Sequence, residues 1–300
     1  DGYKLAQLPQ VQGALAAVSP KDGAILALVG GFDFNLSKFN RATQAQRQAG
    51  SNFKPFVYLS ALENGSTAAT LINDAPVVFE DSKLETAWRP ENYSENFYGP
   101  TRLRKALYSS RNLVSIRLLQ KTGIAKTINY VERLGFDRNR IPNDLSLALG
   151  TAEFTPLELA IGYATLANGG FRVHPYLIKE IREHRGQVLF ASNPATVCVD
   201  CEKSAKSQQT TKPADHSENL KNQTDAVTSD SIATIPVAPI IAEKVADPRA
   251  VYIINSILQD VIKRGTGTKA KALKRSDLAG KTGTTNDQVD AWFSGYNSNI

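Results

Sequence analysis

The chain has 300 residues, with 35 Lys+Arg against 29 Asp+Glu, a net charge of +6 and 42% hydrophobic residues. This is globular composition with enough length for a sizeable core, which excludes disordered, collagen-like and disulfide-scaffold classes. No apolar run approaches the roughly 18 residues that span a bilayer; no basic run interleaved with aromatics points to nucleic acid, and the modest positive charge suits a polyanionic or carboxylate-bearing substrate. Methionine is absent, so the chain is expected to be a piece of a longer protein.

In chain order, Val11 to Gly31 reads as a β-hairpin: two Ala/Val/Leu-rich runs flank the turn cluster Ser19-Pro20-Lys21-Asp22-Gly23. A polar stretch follows to Gly50, and a helix starts near Ser51, with Phe53, Phe56, Val57, Leu59 and Leu62 apolar and Gly65 beyond its end. Short helices are expected from Arg102 to Leu107 and from Asn112 to Lys121, the second stopped by Gly123. Thr155-Pro156-Leu157-Glu158 is a helix start, with Thr as N-cap, Pro in the first turn and Glu three residues on. That helix should end at Asn168-Gly169-Gly170, and another should run from Asp247-Pro248 to Gly265. From about 203 to 243 the chain is polar with few large apolar residues; with its margins, 197–245 is expected to be a flexible insertion. Cys198 and Cys201 are the two cysteines, read as a local disulfide or idle thiols rather than a metal or redox site. Leu278 to Tyr296 contains strand-like runs around Lys281 and from Ala291.

Ser51-Asn52-Phe53-Lys54 is the one S-x-x-K in the chain. At helical spacing the two side chains share a face. A serine needs a neighbouring base to become a nucleophile, and a buried or cation-flanked lysine can supply one. Pro55 lacks an N–H and belongs in a first turn, which puts Ser51 at a helix N-terminus, where free N–H groups favour developing negative charge. S-x-N occurs at Ser94, Ser110 and Ser217, and K-T-G at Lys121 and Lys281, so context has to choose. Lys121-Thr122-Gly123 is explained as a helix end. Lys281-Thr282-Gly283 precedes a strand-like run, and its Gly allows close approach by another backbone or a ligand. Ser110-Arg111-Asn112 lies in a turn between helices, Ser94-Glu95-Asn96 in an aromatic-rich loop, and Ser217-Glu218-Asn219 in the polar insertion. Tyr93, Phe97 and Tyr98 are open to two readings, groove lining or loop packing, and Arg111 to substrate contact or solvation.

The set S-x-x-K, S-x-N, K-T-G resembles that of penicillin-binding proteins and serine β-lactamases. The surrounding text from Gln48 to Phe56, Ser110 to Ser115, Leu147 to Thr151, Arg264 to Gly267 and Gly280 to Asn286 is similar to the transpeptidase domain of class A penicillin-binding proteins of the 1a type. Ala49 departs from the family's usual Pro. The resemblance implies an α/β (α+β) fold: an antiparallel sheet flanked by helices on both faces, in which the N-terminal hairpin joins the strand at Lys281 and the C-terminal part is missing. It divides the chain into a linker over 1–12, a transpeptidase domain over 13–196 and 246–300, and the insertion. It implies catalytic Ser51, Lys54 and Ser110, with Asn112, Lys281, Thr282, Gly283 and Thr284 binding substrate, and no metal or cofactor. Ser51 would be acylated by a D-Ala-D-Ala stem peptide of lipid II-derived glycan strands, or by a β-lactam. The backbone N–H groups of Ser51 and Thr284 would form the oxyanion hole. Cell-wall synthesis regulators are expected partners, and nucleic acid is not. The parent chain would be a glycosyltransferase as well, membrane-anchored, with this domain on the periplasmic face. The alternatives are a non-catalytic penicillin-sensing or scaffolding domain, and a serine β-lactamase.

Overall fold

The computed structural model describes residues 7, 9–78, 88–199, 201, 238–285 and 289–300. β1 (Leu15–Val18) and β2 (Ile25–Val29) form the expected antiparallel hairpin. Asp22 shapes its turn by accepting from the Ala24 N–H at 3.2 Å. β3 (Arg47–Gln48) leads into a 3-10 turn over Gly50–Phe53, which continues as α1 (Lys54–Glu63) with Pro55 in its first turn. β4 (Leu71–Asp74) and β5 (Gly99–Arg102) pair, and α2 (Leu103–Tyr108), α3 (Asn112–Thr122) and α4 (Ile124–Arg133) follow. α4 lies outside the expected elements, although Ile124, Ile128 and Val131 carry its helical period; Gly123 stands where a Ser or Thr cap would have announced it.

After a 3-10 turn at Leu145–Leu149, β6 (Glu153–Phe154) pairs with β3 and α5 (Pro156–Ala167) begins. Its capping box is complete: Glu158 N–H donates to Thr155 Oγ1 at 3.2 Å and Thr155 N–H to Glu158 Oε2 at 2.8 Å. The remaining elements are β7 (Phe171–Arg172), β8 (Glu180–Arg182), β9 (Val188–Ala191), β10 (Glu243–Lys244), α6 (Pro248–Arg264), β11 (Ala279–Thr284) and β12 (Ala291–Tyr296).

α1 is the centre of the molecule. Every residue from Lys54 to Ala61 is buried, as expected of a helix surrounded by packing on all sides. α3, α4 and α6 surround it, and Phe53, Phe56, Phe136, Phe154 and Tyr163 interlock under its N-terminus with ring centroids 4.8 to 5.4 Å apart. The turn that carries Ser51 therefore rests on an aromatic floor.

The fold is mixed α/β with small antiparallel strand pairs, in the expected class. One detail differs. The N-terminal hairpin is not hydrogen-bonded to the β11–β12 hairpin; both pack against α5 and remain separate two-stranded sheets. Residues of β1 and β12 line an apolar groove of about 440 Å³ between the two hairpins. Most of the expected insertion, 202–237, lies outside the described residues, as do 1–6 and 8 of the expected linker. At the margins Thr196 bridges Ile241, β10 pairs with β7, and Cys198 and Cys201 form a disulfide. Among the described residues no helix is long and apolar enough to cross a membrane.

Candidate active site

Ser51 sits in the 3-10 turn and Lys54 opens α1, so the S-x-x-K spacing becomes one helical turn with the amine directed inward. Lys54 has no solvent exposure. Its Nζ donates to Asn112 Oδ1 at 2.6 Å and to the Ser110 carbonyl at 2.9 Å, with Ser110 Oγ at 3.5 Å. Ser110 leaves the α2–α3 turn in the left-handed conformation, φ 58°, a strained choice for a non-glycine residue. Backbone bonds from Ser110 N–H to Leu107 O and from Arg111 N–H to Ala106 O hold that turn. From β11 comes Lys281, also without exposure, whose Nζ donates to Ser110 Oγ and to the Thr282 carbonyl, each at 2.9 Å. Residues 54, 110, 112 and 281 are thus brought together by α1, the α2–α3 turn, the start of α3 and β11.

Two amines this close and this dry cannot both stay charged at neutral pH. Burial, reinforced by the charge of Lys281, pushes the Lys54 pKa well below its ordinary value. Burial lowers Lys281 to about 7. A neutral Lys54 has two N–H bonds and one lone pair. The contacts to Ser110 O and Asn112 Oδ1 use the two hydrogens, leaving the lone pair available as a base. Among the described residues no hydrogen bond involves Ser51 Oγ.

Three glycines let the backbone segments around Ser51 pack closely. Gly150, at φ 77°, lies so close that a Cβ would overlap Gly50 O; a Cβ on Gly50, at φ 54°, would lie 2.7 Å from Thr284 O; and one on Gly283 would lie 2.7 Å from Ala49 O. The 145–149 turn, the 50–53 turn and β11 therefore stack backbone on backbone, with Gly50 N–H donating to Gly150 O at 2.9 Å. Thr284 is exposed at the end of β11, and the Thr282 hydroxyl pairs with Thr266 at 2.6 Å.

Sequence reasoning missed Asn52. It is fully buried, donates to Ser294 Oγ at 2.8 Å, and accepts from Tyr163 OH at both its backbone and side-chain oxygens, 2.7 Å each. It ties the 50–53 turn to α5 and β12, and no local pattern marks it, because its partners lie 111 and 242 residues away. Of the other motif copies, Lys121-Thr122-Gly123 ends α3 with Gly123 at φ 97°, as expected, and Ser217-Glu218-Asn219 lies outside the described residues. Ser94-Glu95-Asn96 packs beside the α2–α3 turn. Tyr93, Phe97 and Tyr98 are exposed on that loop, and Arg111 stacks over the Tyr98 ring at 3.4 Å with 13% of its side chain exposed, rather than lying free in solvent. Among the described residues no group of three or more His, Cys, Asp and Glu side chains could hold a metal ion.

Comparison with known proteins shows the family. The family model described as "Penicillin binding protein transpeptidase domain" matches residues 13–299. Penicillin-binding protein 1A of Pseudomonas aeruginosa is 51% identical over 98% of this chain and 36% of its own length. That of Escherichia coli is 39% identical over 100% of this chain and 38% of its own. The chain thus spans little more than a third of the length of these curated relatives. The crystal structure of penicillin-binding protein 1A from Haemophilus influenzae superposes with a TM-score of 0.83 at 36% identity, covering 98% of this chain and 42% of that one. PonA1 of Mycobacterium tuberculosis in complex with penicillin V, at 21% identity and a TM-score of 0.67 over 97% of this chain and 68% of that one, shares the fold. The chain belongs to the penicillin-binding protein transpeptidase domain family, on the side of its class A, 1A-type members.

Proposed function

We propose that this chain is the peptide cross-linking domain of a peptidoglycan synthase, a serine-type DD-transpeptidase. The observation that carries the reading is the convergence of two unexposed lysines, Lys54 and Lys281, on Ser110 beside the nucleophile turn. Ser51 Oγ attacks the carbonyl carbon of the penultimate D-Ala of a stem peptide while its proton passes to the neutral Lys54 amine. The oxyanion forms against the N–H groups of Ser51 and Thr284, next to the stacked glycines. The tetrahedral intermediate collapses by breaking the C–N bond. The leaving D-Ala amine takes a proton through Ser110, which stands between both lysines, and an acyl-Ser51 ester remains. A neighbouring stem's amine then attacks that ester, returning its proton along the same path. Charged Lys281 and the hydroxyls of Thr282 and Thr284 hold the substrate carboxylate, Gly283 admits the backbone, and the second N–H of Asn112 Nδ2 is available to the substrate amide.

β-Lactams enter as analogues of the D-Ala-D-Ala terminus and stop at the acyl-enzyme. By the same reading the longer protein is a membrane-anchored glycosyltransferase and transpeptidase, with this domain at the periplasmic face, acting on lipid II-derived strands and under cell-wall regulators. The test is intact mass after penicillin treatment, with Ser51→Ala as control, followed by release of D-Ala from a pentapeptide donor. One penicillin mass on the parent, none on Ser51→Ala, and D-Ala release are expected. Absence of the adduct refutes the reading, and an adduct without D-Ala release favours a penicillin sensor.

A further inference from the structure

Asn92 belongs to none of the three motifs, yet its side chain is the most fully engaged amide near the site. It is 3% exposed. Its Oδ1 accepts from the Asn112 backbone N–H at 2.8 Å, with the Leu113 N–H at 3.5 Å. Its Nδ2 donates to Asp74 Oδ1 at 2.7 Å and to the Asn96 carbonyl at 2.9 Å. The N-cap residue of α3, Arg111, makes no side-chain capping bond, so a residue 20 positions before Asn112 caps this helix. The neighbouring Glu91 carbonyl accepts from Asn112 Nδ2 at 2.7 Å. Residues 91 and 92 therefore hold both the backbone and the amide of Asn112. With Nδ2 committed to Glu91 O, Asn112 must turn Oδ1 toward Lys54, where it takes one of the two amine hydrogens. A flipped Asn112 would present an N–H there instead and consume the lone pair that receives the Ser51 proton.

The frame behind Asn92 is rigid and polar. Asp74 is fully buried; its Oδ1 is taken by Asn92, while its Oδ2, without a hydrogen bond, lies 3.9 Å from Arg111 Nε. Arg111 donates to Ser94 Oγ at 3.1 Å, and Tyr98 N–H to the Asp74 carbonyl at 3.1 Å. From α3, Arg117 holds the carbonyls of Asn73, Ala75 and Pro76. The S-x-N triplet at Ser94 thus serves as a brace for the one at Ser110: Ser94 takes Arg111, and the Asn96 carbonyl takes Asn92.

We propose that Asn92 is a positioning residue for the acylation step, fixing Asn112 so that Lys54 keeps an open lone pair, with Asp74 as its anchor. The proposal rests on the transpeptidase reading. The ionisable group acting on Lys54 from its surroundings is Lys281 of β11.

The experiment measures the rate of acylation by a fluorescent penicillin against pH, together with thermal unfolding, for the parent, Asn92→Ala, Asn92→Asp, and Asn92→Asp combined with Asp74→Asn. Asn92→Ala should acylate about 10- to 100-fold more slowly, the scale of an ångström-level misplacement. Its acid limb should move to lower pH, because a protonated Lys54 loses the acceptor that stabilises it. Asn92→Asp sets two carboxyls against each other and should be slower still; adding Asp74→Asn restores a donor–acceptor pair and should recover at least about tenfold of the loss. If Asn92→Ala does not fold, the double variant, in which the amide and the carboxyl trade places, decides. Slower acylation with an unmoved pH profile, or no recovery in the double variant, overturns the proposal. A parent that is never acylated overturns the transpeptidase reading itself, whereas an acylated parent with indifferent Asn92 variants overturns this one alone.

Discussion

Replacing Lys281 by Met should abolish acylation and stabilise the protein at neutral pH. Lys281 is unexposed, and burial brings its pKa to about 7. In the unfolded chain the same amine titrates near 10.4. Between those values the unfolded state binds more protons than the folded one, so stability rises with pH across the window from about 7 to about 10.4. Integrated, placing this amine inside costs about 4 kcal/mol at pH 7 and about 2 kcal/mol at pH 9. Methionine fills the stem's volume without that cost but gives up two hydrogen bonds, to Ser110 Oγ and the Thr282 carbonyl, worth about 1 kcal/mol each. The net expectation is a gain of about 2 kcal/mol at pH 7, or about 4 to 8 °C in Tm, shrinking to about zero at pH 9. Relief of the charge on Lys54 acts in the same direction. Thermal or urea unfolding of parent and variant at pH 6 to 9, with penicillin labelling alongside, makes the comparison. A variant less stable than the parent at pH 7, or one whose stability climbs with pH in parallel with the parent, would refute the reasoning that this lysine is held in the site at a cost in stability.

Gly150→Ala puts a Cβ onto Gly50 O at a positive φ; displacement of the nucleophile turn should slow acylation by about 100-fold, and an unchanged rate would show that the glycine stack does not set the oxyanion geometry. Phe136→Ala removes a ring that contacts Phe53, Phe56 and Phe154. It should cost about 3 to 5 kcal/mol in urea unfolding, and a loss under about 1 kcal/mol would mean that the aromatic floor collapses to fill the hole.

What was legible in the sequence were features with short range. A turn cluster between apolar runs, Pro55 one place after Lys54, and Thr155 three residues before Glu158 each specify backbone through neighbours, and the hairpin, α1 and α5 begin where those signals stand. The S-x-x-K spacing likewise predicts one helical turn between Ser51 and Lys54, which the 3-10 turn running into α1 provides. Motif wording made Ser110-Arg111-Asn112 and Lys281-Thr282-Gly283 the preferred copies, but the local spacing is the same in their rivals. Tertiary structure separates them physically: Lys54 reaches Ser110 across 56 residues and Lys281 reaches it across 171, and this contact removes both amines from water and lowers their pKa values. The same holds for Asn52 and Asn92, polar residues whose partners are remote, and for Gly50 and Gly150, whose necessity lies in a backbone packed against them. The sequence by itself determined where α3, α5 and α6 start, though not α4, and which side chains could react. Burial, and with it the protonation of Lys54 and the orientation of the Asn112 amide beside it, depends on solvent exclusion by distant segments, and only the folded chain decided that.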